Sequence, residues 1–262
     1  NYLQILTSRF RMKINFIKCH GSGNDFVLID AITQNLNFQE QDFVDFTIPV
    51  CDRKGEIGAD GTLFLLPSDK ADVRMRIFNA DGSEPEMCGN GIRCLARKAH
   101  ELLGKDEFTV ETMKAALTCK KEEDIFDGVN SFSVLINNVS FTSASFPFVS
   151  TKSFVNQKLE SFNSDFKFSA ISMGNPHVIV REDKFELSTV EKVGKKANNN
   201  TEIFPEGVNV SFFKKLDKQT IYAQTYERGV GITNSCGTAM SASSIMACVL
   251  NDAEFGKWIN VY

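Results

Sequence analysis

The chain repeats itself, and that constrains its fold more than any other feature. Gly23-Asn24-Asp25-Phe26-Val27 resembles Gly174-Asn175-Pro176-His177-Val178 at an offset of 151 residues. Asp60-Gly61, followed by Thr62-Leu63-Phe64, resembles Glu206-Gly207, followed by Val208-Asn209-Val210, at an offset of 146. Ile77-Phe78-Asn79 leading to Cys88-Gly89 resembles Thr225-Tyr226-Glu227 leading to Cys236-Gly237, at an offset of 148. Three blocks in one order at nearly one offset predict two copies of one fold. The seam falls near 130–140, which gives an N-terminal domain over 12–133 and a C-terminal domain over 134–262. Met12 is a candidate start, which would make residues 1–11 an upstream extension.

Hydrophobic patterning gives each copy the same content. Ile14–Ile17, Phe26–Ile29, Thr62–Leu66 and Val73–Phe78 read as strands, continued by Phe132–Ile136 and Val139–Phe141. Ile171–Met173, Val178–Val180, Val208–Phe213 and Thr220–Thr225 repeat the style. One long helix is predicted per half. The first starts after Cys88, carries Ile92, Leu95, Ala96, Ala99, Leu102 and Leu103 at helical spacing, and stops at Gly104. The second starts after Cys236, runs to Leu250 and is apolar or small on every face, so burial all round is expected. The stretch from Gly194 through Asn198-Asn199-Asn200 reads as a solvated loop. The Ser/Phe-rich region 140–168 reads as strands and turns. The expected class is α/β (α+β): two pseudo-symmetric domains, each a mostly antiparallel sheet wrapped around a central helix.

Composition removes several functions. With 29 basic and 33 acidic side chains, net charge -4, the 262-residue chain has no basic excess for nucleic acid. The longest charge-free run, Gly229–Asn251, is interrupted by Thr, Ser, Asn and Gly, which argues against a membrane span. Its start shows no secretory signal pattern. Seven cysteines without C-x-x-C form no disulfide framework and suit a reducing cytoplasm. Gly21-Ser22-Gly23 lacks the third glycine and the following helix of a dinucleotide site. Three scattered histidines, and Cys88 and Cys94 on different helix faces, give no zinc site. No cofactor and no metal are expected.

Two Cys-Gly pairs carry the chemistry. Each thiol stands at a predicted helix N-terminus, where unsatisfied N–H groups and the helix dipole favour thiolate and lower its pKa. The adjoining glycine lets a ligand approach, and the same N–H groups suit a carboxylate. A duplicated chain can present both thiols to one cleft, on opposite faces of one carbon. That geometry suits removal of a proton from one face and delivery of another to the opposite face. Asn24, Asn79, Asn90, Asn175 and Asn209 sit in the repeated blocks as a neutral polar set. Arg228 suits a bidentate carboxylate clamp and Glu227 an ammonium.

These residues together resemble the diaminopimelate epimerase family. The resemblance rests on Gly21-Ser22-Gly23-Asn24-Asp25-Phe26, Gly58-Ala59-Asp60-Gly61, Arg76-Ile77-Phe78-Asn79-Ala80-Asp81-Gly82-Ser83 and Cys88-Gly89-Asn90-Gly91-Ile92-Arg93. Met173-Gly174-Asn175-Pro176-His177, Tyr226-Glu227-Arg228-Gly229 and Cys236-Gly237-Thr238 complete it. It implies interconversion of LL- and meso-diaminopimelate without pyridoxal phosphate or metal, toward lysine and cell-wall precursors, in a cytoplasmic homodimer. It further implies that Cys88 is the base toward the LL isomer and Cys236 the acid. Gly89, Asn90, Gly237 and Thr238 would bind the reacting carboxylate. Asn79, Asn209 and Arg228 would hold the distal centre, and Asn24, Asn175, His177 and Glu227 would line the reacting one. Ile232 stands where the family usually has Glu, and Ala239 where Gly is usual. The family normally continues beyond Tyr262 through a glycine turn and more strands. Alternatives are a two-cysteine racemase for another amino acid such as proline, a phenazine-biosynthesis-type isomerase, which lacks the cysteine pair, and a redox-sensing protein.

Overall fold

The strand Asn24–Asp30 (β4) is apolar on both faces because a helix covers each. Phe26 and Leu28 join one core cluster, with Ile92, Leu95, Ala96 and Ala99 of one helix. Val27 and Ile29 point the other way, into a cluster with Phe43, Phe46 and Val50 of a second helix. Successive strand residues face opposite sides, so a strand covered twice reads as an unbroken hydrophobic run.

The computed structural model describes residues 2–6, 11–136, 139–142, 146, 153–159, 162 and 165–262. The chain divides into two compact units, Asn1–Leu135 and Ile136–Tyr262. In the first, β1 (Tyr2–Leu6) and β2 (Arg11–Asn15) form a two-stranded antiparallel sheet. A seven-stranded sheet follows, in the order β3 (Ile17–Gly21), β4, β5 (Gly61–Leu66), β6 (Val73–Asn79), β7 (Glu107–Glu111), β8 (Ala116–Phe126) and β9 (Val129–Val134). β4/β5 and β6/β7 are parallel, and their crossovers carry α1 (Glu40–Cys51) and α2 (Gly89–Leu103). The remaining pairings are antiparallel.

The second unit repeats the pattern. Its path is β10 (Gln157–Lys158), β11 (Lys167–Ser172), β12 (Pro176–Arg181), β13 (Asn209–Asp217), β14 (Thr220–Glu227) and β15 (Gly231–Thr233). β16 (Asn260–Val261) pairs parallel with β14. β12 and β13 are parallel around α3 (Leu187–Asn198), and α4 (Gly237–Val249) follows β15. Val178 and Val180 pack with α3, as Val27 and Ile29 pack with α1. Ile179 packs with Ala242 and Met246 of α4. The mixed, mostly antiparallel sheets and the central helices after the two cysteines are as expected, and no residue of α4 is exposed.

Register corrects one part of the repeat. Gly61 pairs with Asn79, and Val210 pairs with Tyr226, which brings Asn209 opposite Glu227. Gly61 therefore corresponds to Asn209, at the same offset of 148 as the two cysteines, and not to Gly207. The local Asp-Gly/Glu-Gly likeness is a slip of two residues.

Each unit also holds a helix that the patterning misses. The α1 sequence contains Val, Thr, Ile and Pro49, all poor helix formers. It forms because its Phe face is buried, and Asp42 accepts from Gln39 N at 2.7 Å to close its first turn. The stretch from Gly194 to Asn198 is the end of α3 rather than a loop. Glycine there reads as a breaker, but a Cβ on Gly194 would lie 2.2 Å from Tyr226 Cγ, so close helix–strand packing needs it. Phe16 separates β2 from β3, which splits the expected Ile14–Ile17 strand. Of Val139–Phe141, only a bridge between Ser140 and Ser172 forms. Much of 140–168 lies outside the described residues; Phe146 and Phe162 within it are fully buried.

Candidate active site

Cys88 and Cys236 are the N-cap residues of α2 and α4. Their backbone angles nearly coincide, φ -138°, ψ 111° and φ -125°, ψ 111°. In the first unit the Gly91 N–H donates to the Cys88 sulfur at 3.4 Å, and Asn24 Oδ1 lies 3.9 Å from it. Asn24 reaches this place from a tight turn in which Ser22 and Gly23 both have positive φ, 54° and 87°. Its Nδ2 donates to Asp60 Oδ2 at 2.7 Å, so the amide's other end is the one turned to the thiol. Asp60 also accepts from Asp25 N, and Arg53 bridges Asp25 and Asp60 at 2.5 and 2.7 Å. Burial alone would raise the Asp25 carboxyl, but Arg53 and Lys18 hold it well below the usual range.

Gly89 opens α2. Asn90 is buried and accepts from Arg93 Nη2 at 2.7 Å, and Arg93 also reaches Ser22 Oγ at 3.1 Å. Asn79 ends β6, where its Nδ2 donates to Ser83 Oγ at 3.0 Å. The structure thus gathers Asn24, Cys88, Gly89 and Asn90 through shared contacts; Asn79 belongs to the neighbouring Ser83 turn.

In the second unit the Cys236 sulfur lies 3.5 Å from Thr238 Oγ1. Burial is the largest influence on this thiol, and the Glu227 carboxylate beside it is the second; together they push it up to about 12. Hydrogen bonds from Thr238 and the Ala239 N–H pull the other way and lose. The lowering expected at a helix N-terminus does not hold for Cys236, because burial and the Glu227 charge outweigh the Thr238 and Ala239 hydrogen bonds. Glu227 Oε1 accepts from Thr233 Oγ1 at 2.5 Å.

His177 is fully buried. Its Nε2 lies 3.0 Å from Asn175 Oδ1 and 3.1 Å from Thr238 Oγ1, while Nδ1 has no partner among the described residues. Burial, then the nearby Arg228 charge, pulls its pKa down to about 3. Asn175 follows Gly174, whose φ of 88° matches Gly23. Asn209 is buried, with its amide donating to Pro176 O at 3.3 Å and its carbonyl accepting from Arg228 N at 2.9 Å. Arg228 Nη1 donates to Glu206 O at 2.9 Å. Gly237, Thr238, Asn175, His177, Glu227 and Cys236 thus form one bonded group, with Asn209 and Arg228 beside it. Ile232, opposite Tyr226 on β15, packs against the α3 core. Ala239 is fully buried where Gly91, its counterpart, lies against Leu63 and Ile77.

Sequence reading missed Asp60, Arg53 and Thr233 as site residues. Asp60 stands in a repeated block and in Gly58-Ala59-Asp60-Gly61 without a role read for it, and its bond to Asn24 spans 36 positions. Among the described residues no group of His, Cys, Asp or Glu is arranged to hold a metal ion. Among those residues no helix is long and apolar enough to cross a membrane.

The diaminopimelate epimerase family model matches residues 16–127 and 169–261. A diaminopimelate epimerase of Clostridium acetobutylicum is 44% identical over 99% of this chain and 78% of its own length. The chain belongs to the diaminopimelate epimerase family. A Listeria monocytogenes diaminopimelate epimerase is 41% identical over 95% of the chain and 78% of its own length. Among solved structures, a hydroxyproline epimerase from Agrobacterium vitis shares the fold, with TM-score 0.59 and 15% identity, covering 92% of this chain and 78% of that one. Family membership makes the chain an isomerase of a cofactor-independent epimerase family, acting on a small molecule.

Proposed function

We propose that this chain converts LL-diaminopimelate to meso-diaminopimelate by two-base proton transfer between Cys88 and Cys236. The reading places it in the cytoplasm, as a homodimer, on the route to lysine and peptidoglycan precursors. The observation that carries it is the matched pair of N-cap thiols, alike in backbone angles and each followed by glycine.

An α-hydrogen is a very weak acid, so the base must be a thiolate held out of water. Two-base chemistry needs one thiol charged and the other protonated at the start of each turnover, on opposite faces of the α-carbon. The surroundings of Cys236 suit the acid's part. Cys236 has the Glu227 carboxylate beside it, and burial plus that charge keep its proton on. The position corresponding to Glu227 in the first unit is the neutral Asn79, while both thiols receive an N–H from the first turn of their helix, Gly91 for Cys88 and Ala239 for Cys236. Cys88 is accordingly the base toward the LL isomer and Cys236 the acid, with the roles exchanged in reverse.

The remaining groups stabilise charge as it builds. The reacting carboxylate binds at the α2 and α4 N-termini, through Gly89, Asn90, Gly237 and Thr238. Neutral His177 holds Thr238 and Asn175 in place without adding a competing charge. Glu227 receives the ammonium of the reacting centre, and Asn79, Asn209 and Arg228 hold the distal one. A coupled assay that reports meso-diaminopimelate formed from LL-diaminopimelate tests the reading. Turnover of that substrate, with none of proline or hydroxyproline, is expected; turnover of the cyclic substrates alone would overturn it.

A further inference from the structure

Cys19 on β3 and Cys94 on α2 form a second pair of thiols, apart from the residues assigned above. At Gly21 the strand passes so close to the helix that a Cβ would lie 2.7 Å from the Asn90 carbonyl oxygen. Two residues back along the strand, on the same face and about 6.6 Å away, is Cys19. One turn on along the helix, about 6 Å away, is Cys94. The two steps nearly match, so the strand and the helix bring the two thiols side by side, close enough for each to act on the other's ionisation. Both are half-buried and pack against the same cluster, whereas Cys51, Cys119 and Cys248 are buried. As a thiol, Cys19 also donates to Phe26 O at 3.8 Å.

We propose that Cys19 and Cys94 are a dithiol oxidation site that closes to a disulfide, with a peroxide as oxidant. The Cys19 thiolate attacks one peroxide oxygen and the O–O bond breaks. The departing hydroxide takes up a proton to leave as water, and Cys19 becomes a sulfenic acid. The Cys94 sulfur then attacks the Cys19 sulfur, the S–O bond breaks, and the Cys94 proton leaves with the oxygen as a second water. Two thiols and one peroxide give one disulfide and two waters; each sulfur loses one electron and the peroxide gains two. The order of attack follows from the surroundings. Cys19 is held below its ordinary value by the Cys94 thiol beside it, against burial, with the Lys18 ammonium adding to the lowering. Cys94 is pushed up by its Cys19 neighbour and by burial, so it keeps its proton until the second step.

The test treats the reduced, folded chain with hydrogen peroxide, blocks remaining thiols by alkylation, and digests it with trypsin. Cleavage after Lys18 and Arg93 places Cys19 on a peptide ending at Arg53 and Cys94 on one ending at Arg97. The proposal predicts these two peptides joined and lighter by two hydrogens, with fragmentation locating the link at Cys19 rather than Cys51. In C94S the joined peptide disappears and a dimedone adduct appears on Cys19. Recovery of Cys19 and Cys94 both alkylated, under peroxide that oxidises Cys88, would overturn it. So would a link from Cys94 to any other cysteine.

Discussion

His177 Nε2 lies 3.1 Å from the Thr238 hydroxyl, and that hydroxyl lies 3.5 Å from the Cys236 sulfur. Because Asn175 Oδ1 also faces Nε2 and only accepts, the ring proton sits on Nε2. Thr238 is thereby fixed between a buried neutral imidazole and the thiol. Nδ1, with no partner among the described residues, stays unprotonated.

A neutral buried His177 makes stability fall on the acid side. The folded pKa, about 3, lies below the ordinary 6.5. As pH drops through that interval the unfolded chain takes up a proton that the folded chain refuses. Stability should decline by up to about 1.4 kcal/mol per pH unit from this group. Denaturant melts of wild type and His177→Phe between pH 7 and pH 4, bounds set by that interval, check it: the slope should shrink in the variant. Ring NMR shifts that titrate near 6.5 in the folded chain would contradict it.

Cys236 gives the mirror-image behaviour in alkali. Its folded pKa, about 12, lies above the ordinary 9.0. The unfolded chain loses its proton first, so stability contributed by the neutral, half-buried thiol is present below about 9 and is lost as pH rises toward 12. Thiolate absorbance of the Cys236→Ala variant should match wild type below pH 9 and differ from it only well above that value.

Asp60 positions the amide of Asn24. Asp60→Ala removes the acceptor that holds Asn24 Nδ2 and Asp25 N. The amide is then free to turn its N–H groups toward Cys88, and kcat should fall about 10-fold, near 1.4 kcal/mol. Asp60→Asn keeps a carbonyl acceptor and should recover part of the loss. An unchanged kcat in the alanine variant would remove Asp60 from the account.

Two glycines separate fold from site. A Cβ on Gly194 would strike Tyr226, and one on Gly21 would strike the Asn90 carbonyl. Gly194→Ala and Gly21→Ala should each cost about 1–3 kcal/mol in denaturant melts. Only Gly21→Ala also displaces the first turn of α2, so it alone should lower kcat in protein shown to be folded.

These cases also show what sequence carries. The duplication, the two N-cap thiols and the helices after them were legible because they are local: a Cys-Gly step, a helical period, a stopping glycine. The helices α1 and α3 were not, because α1 holds despite Pro49 through Phe43 and Phe46 packed on Phe64, and Gly194 is needed for the close approach of Tyr226, contacts that propensity does not contain. Asp60's hold on Asn24 and the pairing of Cys19 with Cys94 depend on strand register and on one close approach at Gly21. The direction of the Cys236 shift was not legible, because the helix-start N–H groups are local in sequence, whereas burial and Glu227 come from elsewhere in the fold.

The most direct test of the two-base claim follows LL-diaminopimelate through its first turnovers in deuterium oxide. Two bases predict meso product carrying solvent deuterium at the inverted carbon, while recovered LL substrate keeps its original hydrogen. Product that retains the substrate's own hydrogen at that carbon would mean one base serving both faces, and would contradict the assignment of Cys88 and Cys236.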